Sequence, residues 1–258
     1  MLFHYNQFHE AAFMRVANEV TGRVSIRYNN VESYFTLKKT NEELAKENED
    51  LRNRLRQDYE MPDTSHTVIK DTLSIDTLGN FRKYLYRGAK VVNNSISLQN
   101  NYMTIHRGEN QGIQKDMGVI GPGGVVGTVI STSTNFAVVM TLLNRQSRLS
   151  AMLKKTGETG TVFWSGDSPQ FLTMSQLPKT VPIEKGDTIV TSQYASYRFP
   201  QGIMVGTVVE ETGDKASGFY TLRIKPATNF YSVEYVTVVE NLQKDEQKKI
   251  EEALKNNQ

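Results

Sequence analysis

The chain has 258 residues, 22% of them charged and 9% aromatic, with a formal net charge of +2 and no cysteine. That length holds one large or two small domains with a real core. The near-balanced charge, with Lys and Arg scattered among acids, argues against a nucleic-acid partner. The lack of thiols excludes thiolate catalysis, thiolate metal sites and disulfides. No apolar run reaches the roughly 18 residues that a membrane helix needs.

In chain order, the opening "MLFHYNQFHEAAF" lacks the basic start and apolar core of a signal peptide. Its Leu2, Phe3, Tyr5 and Phe8 read as the aromatic edge of a membrane interface whose apolar span is missing here. Then comes a helix with a narrow apolar stripe. Tyr34, Leu37, Asn41, Leu44, Asn48, Leu51 and Leu55 alternate steps of three and four, the a/d seam of a heptad repeat. Val20, Val24, Tyr28, Val31 and Phe35 extend the pattern upstream with a phase drift, so a helix over about residues 8–56 would reach roughly 70 Å. Asn41 and Asn48 at a positions weaken the seam but fix its register and favour two parallel strands, so a parallel homodimer is expected, with higher assembly an extension of it. The alternative, an amphipathic helix lying on its own domain, normally shows a wider apolar face.

After "QDYEMPDTS", where Pro62 stops any helix, short β-branched and aromatic runs alternate with turn residues. "HTVIK", "NYMTIH", "GVVGTVI", "FAVVMTLL", "RLSAML", "GTVFW", "DTIVTSQY", "IMVGTVVEE", "FYTLRIK" and "YVTVV" are strand candidates. No helical pattern separates them, which disfavours a parallel doubly wound sheet, and closed antiparallel barrels would hide so many short edges. "VVGTV" at 125–129 recurs as "MVGTV" at 204–208, each after a related turn, "IQKDMGVI" at 113–120 and "IEKGDTIV" at 183–190. This echo suggests two related units, with Gly127 and Gly206 marking bends. "IGPGG" at 120–124 lacks the Lys-Ser/Thr of a phosphate loop and opens a strand, not a helix.

The block "NNYMTIHRGENQGIQKDMGVIGPGGVVGTVI", residues 100–130, resembles the signature of the MreC family of bacterial rod-shape-determining proteins. Asn101, Thr104, Ile105, Gly108, Gly112, Met117, Val119, Ile120, Gly124, Val125, Val126, Gly127 and Val129 hold the matching positions. Residues 185–208 resemble the family's second block through Gly186, Asp187, Val190, Thr191, Ser192, Phe199, Pro200, Gly202 and Gly206. The resemblance implies a mainly β fold with an N-terminal coiled-coil helix and two small antiparallel six-stranded β-barrels. It implies a single-pass protein of the bacterial inner membrane, this part in the periplasm, whose membrane helix and cytoplasmic tail are absent from the sequence. The implied partners are a class B penicillin-binding transpeptidase, RodA, MreD and the MreB system. The implied role is a non-enzymatic scaffold that organises peptidoglycan synthesis during elongation. The expected division is 1–58 membrane-proximal helix and coiled coil, 62–150 first barrel region, 151–242 second barrel region with strands open to exchange, and 243–258 flexible tail.

Paired barrels are similar to the chymotrypsin architecture, which raises a trypsin-like hydrolase as one alternative; a self-assembling filament is another. "SGDSP", residues 165–169, contains Ser168, but a nucleophile needs a histidine and backbone donors around it, and Pro169 removes a donor. His4 and His9 precede the β region, leaving His66 and His106. No catalytic set, metal site or cofactor is expected, because the histidines are scattered, and Asp71 with Asp76 or Glu210 with Glu211 read as solvated strand faces. Trp164 reads as barrel core or rim. The candidate partner-binding loop is "SQYASYRFPQGI", residues 192–203, for Tyr194, Tyr197, Arg198 and Phe199, residue types that dominate binding hot spots. Phe199 and one tyrosine would alternatively plug a barrel end.

Overall fold

The structure is a computed structural model that describes residues 37–54, 59–60, 81–195, 197–212, 218–247 and 249. The chain divides into two compact units, residues 1–48 and 49–258. Helix α1 covers residues 37–53. Its Leu, Lys, Glu, Ala and Arg residues are strong helix formers, and Lys39 and Glu43 pair at 3.8 Å one turn apart. The upstream positions Val20 to Phe35, Tyr34 among them, and Leu55 at the end of the seam lie outside the described residues.

The second unit is built from strands. β1 (Tyr59–Glu60) and β2 (Phe81–Arg82) form a small antiparallel pair. Twelve more follow: β3 (Tyr84–Asn94), β4 (Asn100–His106), β5 (Gly118–Ile120), β6 (Val125–Thr132), β7 (Ala137–Asn144), β8 (Leu149–Leu153), β9 (Thr159–Phe163), β10 (Leu172–Pro178), β11 (Thr188–Thr191), β12 (Met204–Glu211), β13 (Phe219–Pro226) and β14 (Tyr235–Asn241). They close two six-stranded antiparallel barrels, β14-β3-β4-β7-β6-β5 and β8-β9-β10-β13-β12-β11. The expected fold class is therefore what the chain adopts. Period-two alternation sends Met103 and Ile105 of β4 into the first barrel, and Met174 of β10 and Leu222 and Ile224 of β13 into the second.

Chain order alone does not divide the barrels at residue 151, and one strand crosses back over that division. β14 falls within 151–242 but closes the first barrel, pairing with β3 on one side and β5 on the other. Burial explains the return: Val236, Val238 and Val239 are at most 3% exposed there, and without this strand β3 and β5 would present open edges. The strand candidate "HTVIK" lies outside the described residues. β3 was not among the candidates, because "YLYRGAKVVNN" interleaves Arg, Gly, Lys and Asn with its inward-facing Tyr84, Tyr86 and Ala89.

The sequence echo becomes a structural equivalence. In the first barrel Val119 pairs with Gly127 and Ile120 with Val125, with a bulge between. In the second, Ile189 pairs with Gly206 and Val190 with Met204, again with a bulge between. The next strand pair repeats as well: a bulge follows Val129 in β6 against β7 and Val208 in β12 against β13. A Cβ on Gly127 would lie 2.1 Å from the Met140 carbonyl oxygen, and one on Gly206 would lie 2.3 Å from that of Lys225. Both glycines permit the tight strand approach that a small barrel needs.

Candidate interaction surfaces

No cluster of acids and histidines that would hold a metal exists among the described residues, and two other surfaces stand out. The first is the seam of α1. Leu37, Leu44 and Leu51 are 63%, 48% and 56% exposed, one every second turn. Asn41 and Asn48 are exposed too, and Asn48 Nδ2 donates to the Leu44 carbonyl at 2.9 Å, steadying the helix face. Three leucines left in water on one stripe form an exposed apolar face with heptad spacing.

At the helix end lies a contact that sequence reasoning missed. Asn53 Nδ2 donates to the Tyr86 carbonyl at 3.0 Å, and the Tyr86 N–H donates to Asn53 Oδ1 at 2.9 Å. One side-chain amide thus satisfies both backbone groups of a strand residue, as a neighbouring strand would. Arg82 donates to the Asn53 carbonyl, and Glu49, one turn earlier, pairs with Arg107 at 3.6 Å. The sequence signal was faint: an asparagine near a helix end reads first as a cap.

The second surface is the loop at 192–203, which joins β11 to β12. Its base is fixed internally: Thr191 Oγ1 donates to the Pro200 carbonyl at 2.6 Å and accepts from the Ile203 N–H at 2.9 Å, and Ser192 Oγ lies 2.7 Å from Ser150 Oγ. Of the four candidate residues, only Tyr194 stands well out, at 65% exposure. Arg198 stacks over Tyr197 at 4.5 Å, both half-buried, and approaches Asp116 at 3.9 Å. Phe199 is 1% exposed; it faces the first barrel, so it is not available as an exposed anchor.

The remaining candidates have structural settings. Trp164 is 4% exposed and donates its indole N–H to the Ser168 carbonyl at 2.8 Å, which pins the Asp-Ser-Pro turn. Ser168 Oγ accepts from the Gln170 N–H at 3.3 Å, while His106 stacks on Phe136 with centroids 4.9 Å apart; His66 lies outside the described residues. Gly108 and Gly112 flank a 3-10 turn at Glu109–Gln111, with the Gly108 N–H donating to Gln111 Oε1 at 2.8 Å. Asn101, wholly buried, accepts from the Leu98 N–H at 3.0 Å and donates to the Leu98 and Leu143 carbonyls at 2.7 Å each. Its place in the signature block is thus a clamp on the β3–β4 turn.

A family model described as the barrel core of the rod shape-determining protein MreC matches residues 91–240. The chain belongs to the MreC family. The cell shape-determining protein MreC of Listeria monocytogenes is 30% identical over 169 residues, 64% of this chain and 57% of that protein. Its Haemophilus influenzae namesake is 26% identical over 151 residues, 58% of this chain and 42% of that one. This chain thus spans about half the length of the curated MreC relatives it matches. A solved Listeria monocytogenes MreC superposes with a TM-score of 0.56 at 28% identity, over 82% of this chain and 92% of that one. A Helicobacter pylori MreC, solved in complex with the penicillin-binding protein PBP2, shares the fold at a TM-score of 0.52 and 14% identity, over 62% of this chain and 99% of that one. No helix among the described residues of this MreC family member is long and apolar enough to cross a membrane.

Proposed function

We propose that this chain is a non-enzymatic scaffold of cell elongation, which maintains rod shape by organising and activating peptidoglycan synthases on the outer side of the inner membrane. The match of the MreC barrel core to residues 91–240 carries the reading, since the relatives it joins are named cell shape-determining proteins. The Helicobacter pylori complex supports a class B penicillin-binding transpeptidase as the first partner. RodA, MreD and the MreB system follow from the family resemblance. Residues 1–58 pair and space two copies through the leucine seam, the barrels present the docking surface, and 243–258 form a tail. Of the 192–203 loop, the exposed Tyr194, beside the half-buried Tyr197, is the part that faces a partner. The mechanism is proximity together with conformational bias: a scaffold that binds one state of the transpeptidase better shifts it toward that state.

The test is a titration of the immobilised chain with the purified transpeptidase of the same organism, followed by interferometry. Saturable binding that Tyr194→Ala weakens is the expected result. No saturable binding by a chain whose barrels are folded removes the transpeptidase from the proposal.

A further inference from the structure

The equivalence of the two barrels makes each an internal control for the other, and one group of their differences falls together in space. Between Ile120 and Val125 the first barrel turns with four residues, 121–124, whereas between the matching Val190 and Met204 the second uses thirteen, 191–203. The additional residues include Arg198 and Phe199. Among the residues that differ between the matching turns, two lie against that loop: Asp116 stands where the second barrel has Gly186, and Gly118 where it has Thr188.

The turn itself is conserved between the barrels. Asp116 N–H donates to the Val129 carbonyl at 2.8 Å and Gly186 N–H to the Val208 carbonyl at 2.8 Å. Both residues are left-handed, with φ of 69° and 93°. Glycine takes that conformation freely, whereas aspartate takes it against the Cβ clash. Asp116 therefore carries a backbone cost that its counterpart avoids, and what its carboxylate meets is Arg198, 3.9 Å away on the inserted loop. Gly118 gives the complementary observation. A Cβ there would lie 2.3 Å from the Arg198 carbonyl oxygen and 2.6 Å from the Phe199 ring, so the threonine of the other barrel has no room. The short turn of the first barrel also admits the second barrel's backbone: Cβ atoms on Gly123 and Gly124 would lie 2.2 Å from the Ala227 oxygen and 2.0 Å from the Met204 oxygen. Thr228 Oγ1 completes the seam by donating to the Val125 carbonyl at 3.0 Å.

We infer that the loop at 192–203 is an inter-barrel wedge, seated by Phe199 on Gly118 and by Arg198 on Asp116, which holds the two barrels in one fixed arrangement. The longer loop of one barrel meets two altered residues of the other, a left-handed aspartate that faces its arginine and a glycine that leaves room for its backbone and its phenylalanine. The loop then works on two sides: Arg198 and Phe199 are positioning residues that point inward, and Tyr194 remains outside. The inference does not depend on any partner.

The chain has no cysteine, so thiols introduced by Thr134→Cys in the first barrel and Lys154→Cys in the second, both exposed, take spin labels at those two sites alone. Labelled chain diluted into unlabelled chain then reports intramolecular distances by pulsed dipolar spectroscopy. The expected result is a single narrow distance, lost in two variants that attack the seam from opposite sides. One is Gly118→Thr, which restores the residue of the other barrel. The other replaces residues 191–203 with the Gly-Pro-Gly-Gly of 121–124, the turn that joins the matching strands of the first barrel. Phe199→Ala, which leaves both backbones untouched, is the third variant and should broaden the distribution in the same way. A narrow distance retained in whichever of these variants folds, judged by amide protection of β6 and β12, overturns the wedge. So does a broad distribution in the unsubstituted chain.

Discussion

The two barrels share a strand order and, at their matching strands, a register, yet they close differently. The second is made from a contiguous run, β8 to β13, whereas in the first the position of β8 is taken by β14. Tyr86 of β3 thereby pairs with Val239, so the first barrel is complete only when both ends of the β region have met. A closed barrel specifies which strands are neighbours and leaves open where in the chain they come from. Long-range closure is also slower than local closure, so the second barrel is expected to form first and the first to close around the returning strand.

The largest effect should come from breaking that asymmetry. Truncation after Pro226 removes β14 and the burial of Val236, Val238 and Val239, a loss on the order of 5 kcal/mol at the usual worth of a buried valine. Hydrogen exchange should show the amides of β3 and β5 losing protection while β8 to β13 keep theirs. Retained protection in β3 would mean that the first barrel closes without its last strand. Next come the two strand glycines, which test the equivalence itself. Gly127→Val and Gly206→Val each force a Cβ against a backbone carbonyl, and each should destabilise its own barrel by about 3 kcal/mol or more. Denaturant unfolding with a probe in each barrel would check this; a large effect at one glycine and none at the other would break the parallel.

A smaller, one-sided effect concerns the hairpin turns. The first barrel locks its β3–β4 turn with the buried amide of Asn101, and the second pins its β9–β10 turn with the Trp164 indole. Asn101→Ala leaves the Leu98 groups and the Leu143 carbonyl without their partner, which should cost about 2–3 kcal/mol. Trp164→Phe, which keeps most of the apolar ring, should cost about 1 kcal/mol for the lost hydrogen bond. Thermal melts of the two variants should therefore separate in that order.

What was legible in the sequence was local. The seam of α1 shows because the heptad period lies within a few turns, and β4, β6, β7, β12 and β13 show because β-branched runs between turn residues need no distant information. The repeated Val-Gly-Thr-Val segments disclosed the kinship of the barrels. Membership of β14 was not legible, since nothing in "YVTVV" says which barrel it will join. Phe199 was ambiguous for the same reason: an aromatic residue in a loop is an anchor or a plug depending on what lies opposite, and what lies opposite is Gly118, 81 positions away in the chain. Asn53 was missed because its partner is the backbone of Tyr86, which no side-chain pattern reveals.

The smallest expected effect on the barrels sharpens the contrast between head and seam. Leu37→Glu together with Leu44→Glu puts charge on the exposed stripe while keeping good helix formers, and it leaves the Asn53 contact with Tyr86 intact. Neither leucine is among the buried residues of the core, so the melting of the barrels should be unchanged. Under the proposed pairing, the mass in sedimentation should instead fall from that of two chains to that of one, because each a/d seam would then bury carboxylates against its copy. A variant that stays paired would place the dimer contact on the barrels. A variant whose barrels melt earlier would show that the helix carries part of their stability, and Asn53 is the residue through which it would do so.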